Sequence, residues 1–305
     1  MRLEMFEIER WQSMYPGEKE NLARQLVGHL PQGFAFSRLG FCSLGTQSHT
    51  VAFFNWNPPP TLFPEASWCY GTFALIPGGF VTLGHDRENP WCPTQAQQEG
   101  WNNTQEEYGV PDLQEYLDKV MTPVRTLHIA PFLMEVAPIE TRRVPPRISY
   151  SSQYMAYSGS IVNSSRAQGF RSPFSDEWEW ACAAGARTLW RWGDDCPDVG
   201  YPTQHSHYLV ELRAQGVPAE NRDPTVWELH ELPNAFGLTI AHNDYEQDYC
   251  EGDIVRGGDG GSITCGGAGF LGAWLLLASS HFAICSERER GHATRRVFPL
   301  EKVLS

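Results

Sequence analysis

Apolar residues recur at every fourth position near the start of this chain, between polar residues that would face water. Leu22, Leu26 and Leu30 follow this spacing, which places them on one face of a helix. Pro31 comes directly afterwards and would end the helix, because proline cannot continue the helical hydrogen-bond ladder. The pattern therefore predicts an amphipathic helix over residues 18–30.

The following apolar residues alternate with polar ones, which is typical of β-strands rather than helices. Residues 34–54 read as two short strands around Gly40 and a polar turn at 46–49. Residues 72–84 read as a hairpin with its turn at the Pro-Gly-Gly sequence of 77–79. The pattern up to residue 84 therefore predicts one helix followed by antiparallel strands.

Residues 124–136 also alternate, and they read as one long strand that passes through Pro131. Between this strand and the hairpin, residues 85–119 are long and polar. Loops of this length inside a compact domain are often functional. We therefore interpret this segment as an insertion loop that carries a short helix near 112–119.

The strongest helix signal covers residues 174–185. Asp176, Glu177 and Glu179 lie in its first turn, where the partial positive charge of the helix N-terminus favours acidic side chains. After about residue 197 the pattern predicts loops and short strands, and residues 256–267 are dense in glycine.

The composition narrows the class of protein. The chain has 305 residues, with 41% hydrophobic and 19% charged residues, as in a folded globular protein. Its 28 glycines, 22 prolines and 11 tryptophans suit a fold rich in loops, in which aromatic side chains fill irregular gaps. The net charge of −13 would repel nucleic acid and anionic lipid, so neither is an expected partner.

The cysteines and the first residues of the chain indicate the cellular compartment. The 8 cysteines include no Cys-x-x-Cys pair and show no dense spacing, which favours free thiols over disulfides and zinc sites. The first residues carry acids where an export signal would carry bases and then an apolar run. We therefore expect a cytoplasmic protein without a membrane partner.

Three landmarks stand in a fixed order along the chain. The first is Ile-Pro-Gly-Gly-Phe at 76–80, and the second is Glu-Trp-Glu-Trp-Ala at 177–181. The third is Asn-Ala-Phe-Gly-Leu at 234–238, which leads to Arg-Gly-Gly at 256–258. In this order the landmarks resemble those of the formylglycine-generating-enzyme family, also called the sulfatase-modifying-factor family.

The resemblance implies an α+β fold of the C-type-lectin-like kind, with little regular secondary structure. It covers about residues 72–300, so we expect a family-like domain over 71–305 and an N-terminal extension over 1–70 packed on it. In the family, the stretch after Asn-x-Phe-Gly-Leu supplies oxygens to a structural calcium ion. Asn243 and Glu246 are the residues of that stretch that match, and calcium prefers such oxygen ligands.

The resemblance also indicates where a redox metal would lie. Formylglycine generators hold copper between two cysteines that follow Arg-Gly-Gly, and soft thiolates select Cu(I). Here Cys265 follows that landmark, but Cys285 is twenty residues further on and Cys250 precedes it. Cys265 is therefore either a metal-side catalytic thiolate or an ordinary cysteine.

Other branches of the superfamily, the sulfoxide synthases of the ergothioneine type, hold iron with three histidines. His205 and His207 are the closest histidine pair here, and on a strand they would share a face. Together with His242 or His281 they could build a facial metal site. The alternative is that both are exposed histidines of a polar loop.

Two hypotheses for function follow from the resemblance. In the first, the chain is an oxidoreductase that uses copper or iron and O₂ to oxidise a thiol or another centre of a peptide or small-molecule substrate. In the second, it is an inactive binding module of lectin fold for a peptide or protein partner. The oxidoreductase is the first prediction, and the missing second cysteine and the altered stretch at 243–247 support the alternative.

Overall fold

The computed structural model describes residues 1–57, 70–138, 166, 168–223, 225–267, 269–284 and 295–305. These residues form helices and antiparallel strands, so the predicted α+β class is confirmed at that level. The helices of the described part are α1 (Ile8–Ser13), α2 (Pro16–Val27), α3 (Gln95–Tyr108), α4 (Leu113–Val120), α5 (Ser175–Ala183), α6 (Pro202–Ala214), α7 (Ser262–Gly266) and α8 (Phe270–Leu275).

The strands form three antiparallel sheets, of five, two and three strands. The large sheet has the order β1-β2-β3-β6-β10, while β4 pairs with β5 and the third sheet has the order β7-β8-β9. Their bounds are β1 (Phe34–Leu44), β2 (Gln47–Trp56), β3 (Gly71–Ile76), β4 (Gly79–Leu83), β5 (Arg125–Ile129), β6 (Phe132–Glu135), β7 (Asp248–Cys250), β8 (Ile254–Arg256), β9 (Ala283–Ile284) and β10 (Val297–Pro299).

The large sheet is buried on both faces. Successive side chains of a strand point to opposite sides, and on β2 both sets are buried: Val51 and Phe53 enter one apolar cluster, Ala52 and Phe54 another. The helices α1 and α2 cover one face through residues such as Trp11. Burial on both sides explains the continuous apolar residues at 51–54 of β2 and at 73–76 of β3.

The first fifty-seven residues are joined to the rest of the chain through this sheet. They supply β1 and β2, and β2 pairs with β3, with Phe53 opposite Ala74. The predicted domain boundary at residue 70 therefore falls between two paired strands. Gly40 does not divide a strand either, because β1 continues through it and the turn lies at Gly45 and Thr46.

The predicted hairpin at 72–84 and the single strand at 124–136 were both wrong for one reason. At Pro77 and Gly78 the chain leaves the large sheet for the two-stranded sheet, and at Pro131 it returns. Ile76 therefore pairs with Phe132, whereas Gly79 pairs with Ile129. A β-carbon on Gly78 would collide with the Ile129 carbonyl oxygen and with Pro131 at this crossing, so only glycine fits.

The other helix predictions had different outcomes. Helix α2 confirms the amphipathic segment, although it ends at Val27, before Leu30 and Pro31, and α5 confirms the acid-led helix. The insertion at 85–119 holds two helices, α3 and α4, where the sequence indicated one. No helix in the described part of the chain is long and apolar enough to cross a membrane.

Helix α5 lies at the centre of the fold and brings the landmarks together. Its Glu179 carboxylate accepts a hydrogen bond from Arg256 Nη2 at 2.9 Å, and both side chains are buried. At its other end, the Asn234 amide donates to the carbonyl oxygens of Ala181 and Cys182. The helix thereby fixes both the β8 strand and the loop that leads to the candidate site.

Candidate functional site

The glycine-dense segment after β8 leads into the short helix α7, which carries Cys265. Gly260 and Gly261 have φ angles of +75° and +80°, a region in which glycine is favoured. The Asp259 carboxylate then accepts hydrogen bonds from the backbone N–H groups of Ser262 and Ile263 at 2.8 and 2.9 Å. This carboxylate caps the helix, as an acidic residue at a helix N-terminus should.

Asp244 joins α7 to α6 beneath the surface. The residue is fully buried, and its carboxylate accepts hydrogen bonds from the Thr203 backbone N–H at 3.0 Å and from the hydroxyl groups of Thr203 and Thr264. Thr203 lies in the first turn of α6 and Thr264 in α7. One carboxylate therefore sets the position of both helices.

Cys265 is exposed, and its sulfur lies 3.1 Å from the Tyr245 hydroxyl oxygen. The Tyr245 ring covers Gly261, where a β-carbon would collide with it. The hydrogen bond with Cys265 is the main reason that the pKa of Tyr245 rises to about 12. The phenol therefore stays protonated at neutral pH and can donate a hydrogen bond to the sulfur or to a ligand.

Three further aromatic residues surround α7. The Tyr108 hydroxyl donates to the Gly266 carbonyl oxygen at 2.8 Å, and the rings of Tyr201 and Phe270 meet edge to face at 4.8 Å. Exposed fractions of 44% for Tyr108, 37% for Tyr245 and 37% for Phe270 leave these rings open to solvent. We call this set the Cys265 surface: Tyr108, Tyr201, Tyr245, Cys265 and Phe270.

The structure separates the two histidines predicted to share a strand face. Both lie on α6, and residues two apart on a helix point in different directions. The half-buried His205 ring lies 3.1 Å from the Val199 carbonyl oxygen and accepts from the Trp227 backbone N–H at 3.3 Å, while His207 is exposed. The strand interpretation was wrong because the segment 202–214 begins with proline at the first helical turn, a favourable helix start.

The other two candidate histidines have different surroundings. His242 Nε2 lies 3.5 Å from the Glu246 carboxylate, and burial lowers the pKa of this histidine to about 4. His281 is 3% exposed, and its carbonyl oxygen accepts from Arg256. Burial, followed by the Arg256 charge, lowers the pKa of His281 to about 3.

The predicted metal ligands therefore do not assemble. Among the described residues, no three His, Cys, Asp or Glu side chains are close enough together to hold a metal ion. Cys250 is buried in β7, and Cys285 lies outside the described residues. The described side chains do not form the three-histidine iron site, whereas a copper dithiolate that includes Cys285 stays a prediction.

The stretch proposed for calcium directs its oxygens to protein groups. The Asn243 side-chain oxygen accepts from the Tyr245 backbone N–H at 2.8 Å. The carbonyl oxygens of Asn243, Asp244 and Glu246 all surround the Cα of Gly258, where a β-carbon would lie within 3.0 Å of each. These three carbonyl oxygens converge beside Gly258, and calcium binding by Asn243 and Glu246 stays a prediction.

The sequence indicated Cys265 but not the residues around it. Tyr108 lies in α3, far along the chain, and reaches the site only because α3 packs beside α8. Tyr245 occupies a position where the family that the sequence resembles has tryptophan, which was the one signal of an aromatic residue there. Tyr201 precedes a proline at a helix start and carried no other signal.

No family model matches the chain, and no curated protein matches it either.

The buried histidines predict a loss of stability in acid. The pKa of His281 is about 3 in the fold against 6.5 in an unfolded chain, so between these values the unfolded chain binds more protons. The stability that the neutral His281 ring provides is complete above pH 6.5, and it is lost as the pH falls towards 3. His281→Gln should make the unfolding free energy fall less steeply in acid, by up to about 1.4 kcal/mol per pH unit.

Urea unfolding from about pH 7 to about pH 5 measures this slope. The control is His29→Gln, which alters an exposed histidine after α2. If the wild type and His281→Gln show equal slopes, His281 is not buried in its neutral form.

Proposed function

We propose that this chain is a divergent member of the formylglycine-generating-enzyme family with the C-type-lectin-like fold, and that it acts as a binding module. The landmark residues support the first part, because they meet in one core. Arg256 pairs with Glu179, and Asn234 caps the end of the helix that carries the Glu-Trp-Glu-Trp sequence. These roles are structural, so the landmarks can persist without the activity.

One observation supports binding over oxidation. The Cys265 sulfur has a tyrosine hydroxyl beside it, on an exposed surface with further aromatic side chains, whereas the predicted metal ligands lie apart. Exposed aromatic side chains give large contact area with few rotatable bonds, which favours recognition.

The charges around this surface indicate the occupant. Asp244 and Asp259 lie close enough to raise the pKa of Tyr245, after the hydrogen bond to Cys265 and burial. Glu107 likewise raises the pKa of Tyr108, after burial. Aromatic faces beside carboxylates attract cations through both charge and the ring quadrupole. The occupant that fits is a peptide segment that presents lysine or arginine.

The competing function is the oxygen-dependent oxidoreductase with copper or iron, acting on a peptide or a small molecule. The exposed thiol of Cys265 supports it, because a catalytic thiolate must be accessible. The described side chains do not complete a copper or iron site around that thiol. We expect a cytoplasmic location under either proposed function, and six free cysteines in the described residues support it.

Selection from a library of displayed short random peptides tests the binding proposal. Enriched peptides should be rich in lysine or arginine, and a labelled copy should bind the purified protein in fluorescence anisotropy. Tyr245→Ala and Phe270→Ala should each weaken that binding about tenfold or more. Tyr15→Ala, an exposed tyrosine before α2, is the control and should leave it unchanged.

Metal analysis of protein purified without chelator separates the two functions. Calcium alone, or no metal, is the expected result, and Cys265→Ser should retain peptide binding. Copper or iron near one equivalent per chain, together with loss of O₂ consumption in Cys265→Ser, would establish the oxidoreductase instead.

A further inference from the structure

A second candidate site, which is a cleft, lies apart from the Cys265 surface. It is a cleft of about 380 Å³ between the end of β4, residues 85–92 and residues 187–194. This volume is within the range of small-molecule sites. No residue of the Cys265 surface lines it, so the two sites can be tested separately.

The wall of this cleft contains a buried polar atom with no partner. His85 is 7% exposed, and among the described residues no group forms a hydrogen bond with its Nε2. Burial is the main reason that its pKa is lowered, so the ring is neutral at neutral pH. This nitrogen has almost no surface open to solvent, so His85 forms part of the wall of the cleft and is not assigned as a contact of the ligand.

The cleft also presents the guanidinium group of Arg187, which has the Asp86 charge in its vicinity. Arg187 Nη1 and Nη2 donate to the carbonyl oxygens of Thr82 and Gly84 at 2.9 and 3.3 Å, which holds the side chain in place. Within the described ranges no carboxylate forms an ion pair with it. The remaining N–H groups of a fixed guanidinium suit a carboxylate ligand.

Two carboxylates line the same cleft. Asp86 accepts from the Asn89 side chain at 3.1 Å and from the Glu88 backbone N–H at 3.0 Å, and these bonds lower its pKa, so it is charged. Asp194 accepts from the Leu189 backbone N–H at 2.7 Å. A ligand with a second anionic group would be repelled, whereas a ligand with an ammonium group would be attracted.

One aromatic wall completes the cleft. The Trp91 indole N–H donates to the Asp194 carbonyl oxygen at 2.7 Å, and the ring meets Trp190 edge to face. The ring is therefore held in place and offers a rigid apolar surface beside Pro90.

We propose that this cleft binds a small zwitterion of the α-amino-acid type. Its carboxylate lies on Arg187, its ammonium group on Asp86 or Asp194, and its side chain against Trp91.

Calorimetric titration of the full chain with each standard free α-amino acid tests this inference. We expect at least one to bind, and its deaminated carboxylic acid and its decarboxylated amine to bind about tenfold more weakly or not at all. Arg187→Met should weaken the amino acid about tenfold or more, as should Asp86→Asn if the ammonium group lies there. Arg24→Met, on an exposed arginine of α2, is the control and should change nothing.

Absence of binding by every amino acid would overturn the inference. Equal binding of the deaminated acid, or unchanged binding in Arg187→Met, would also overturn it. If Arg187→Met does not fold, Arg187→Lys keeps the charge but loses the planar fork, and it should still weaken the amino acid. The Cys265→Ser variant should bind the amino acid normally, so this result does not depend on the proposed peptide site.

Discussion

Glu179→Ala should destabilise the fold by about 3–5 kcal/mol, the largest effect that we expect from a single charge removal. Glu179 is 1% exposed, and its carboxylate accepts from Arg256 at 2.9 Å, from Arg125 at 2.8 Å and from the Thr122 hydroxyl at 2.8 Å. Arg256 is fully buried, so its charge would remain in the core without an anion.

The remaining contacts of Arg256 do not replace the carboxylate. The guanidinium also donates to the Ser175 hydroxyl and to the carbonyl oxygens of Ser279 and His281, which are neutral groups. Removing one member of a buried pair is costly because the other cannot regain its hydration. The β8 strand and the segment after it should therefore lose their fixed position along with α5.

Urea unfolding measures this difference, and the chain contains a matched control. Glu20 also pairs with an arginine, at 2.6 Å from Arg24, but both side chains are exposed. Glu20→Ala should cost less than about 1 kcal/mol, because water screens an exposed pair. Similar losses in the two variants would contradict a special role for the buried pair.

The local sequence pattern was sufficient to predict elements whose apolar or charged residues mark one face or one end of a helix. Helix α2 could be predicted because its apolar residues lie on one face, and α5 because its acids stand in the first turn. The hairpin at 72–84 was predicted wrongly because a Pro-Gly-Gly turn looks alike whether the chain returns to the same sheet or enters another. That choice depends on Pro131, which is distant in sequence.

The candidate site could be predicted less well because its parts come from distant segments. Cys265 was indicated by its position after Arg-Gly-Gly, whereas Tyr245 was not predicted as a site residue. Tyr108 and the His85 cleft had no local signal, since burial and partners arise only from packing. The histidine interpretation was wrong because a His-x-His sequence suits a metal only on a strand, and α6 is a helix.

Asn234→Ala should destabilise the fold by about 3–4 kcal/mol through the loss of four hydrogen bonds to backbone groups. Asn234 is fully buried, and its amide donates to the carbonyl oxygens of Ala181 and Cys182 at the end of α5. Its side-chain oxygen accepts from the backbone N–H groups of Phe236 and Leu238, at 3.0 Å each. All four of these residues are buried, so each backbone group loses its partner inside the core.

The same unfolding measurement tests this second loss. Asn102 is the control: it lies on α3, and its oxygen accepts from Gln98 at 2.9 Å in an exposed position. Asn102→Ala should change the stability by less than about 0.5 kcal/mol, because water replaces the lost bond. A small loss in Asn234→Ala would mean that the loop at 234–238 rearranges to satisfy its own backbone. The landmark asparagine would then not be the residue that joins this loop to α5.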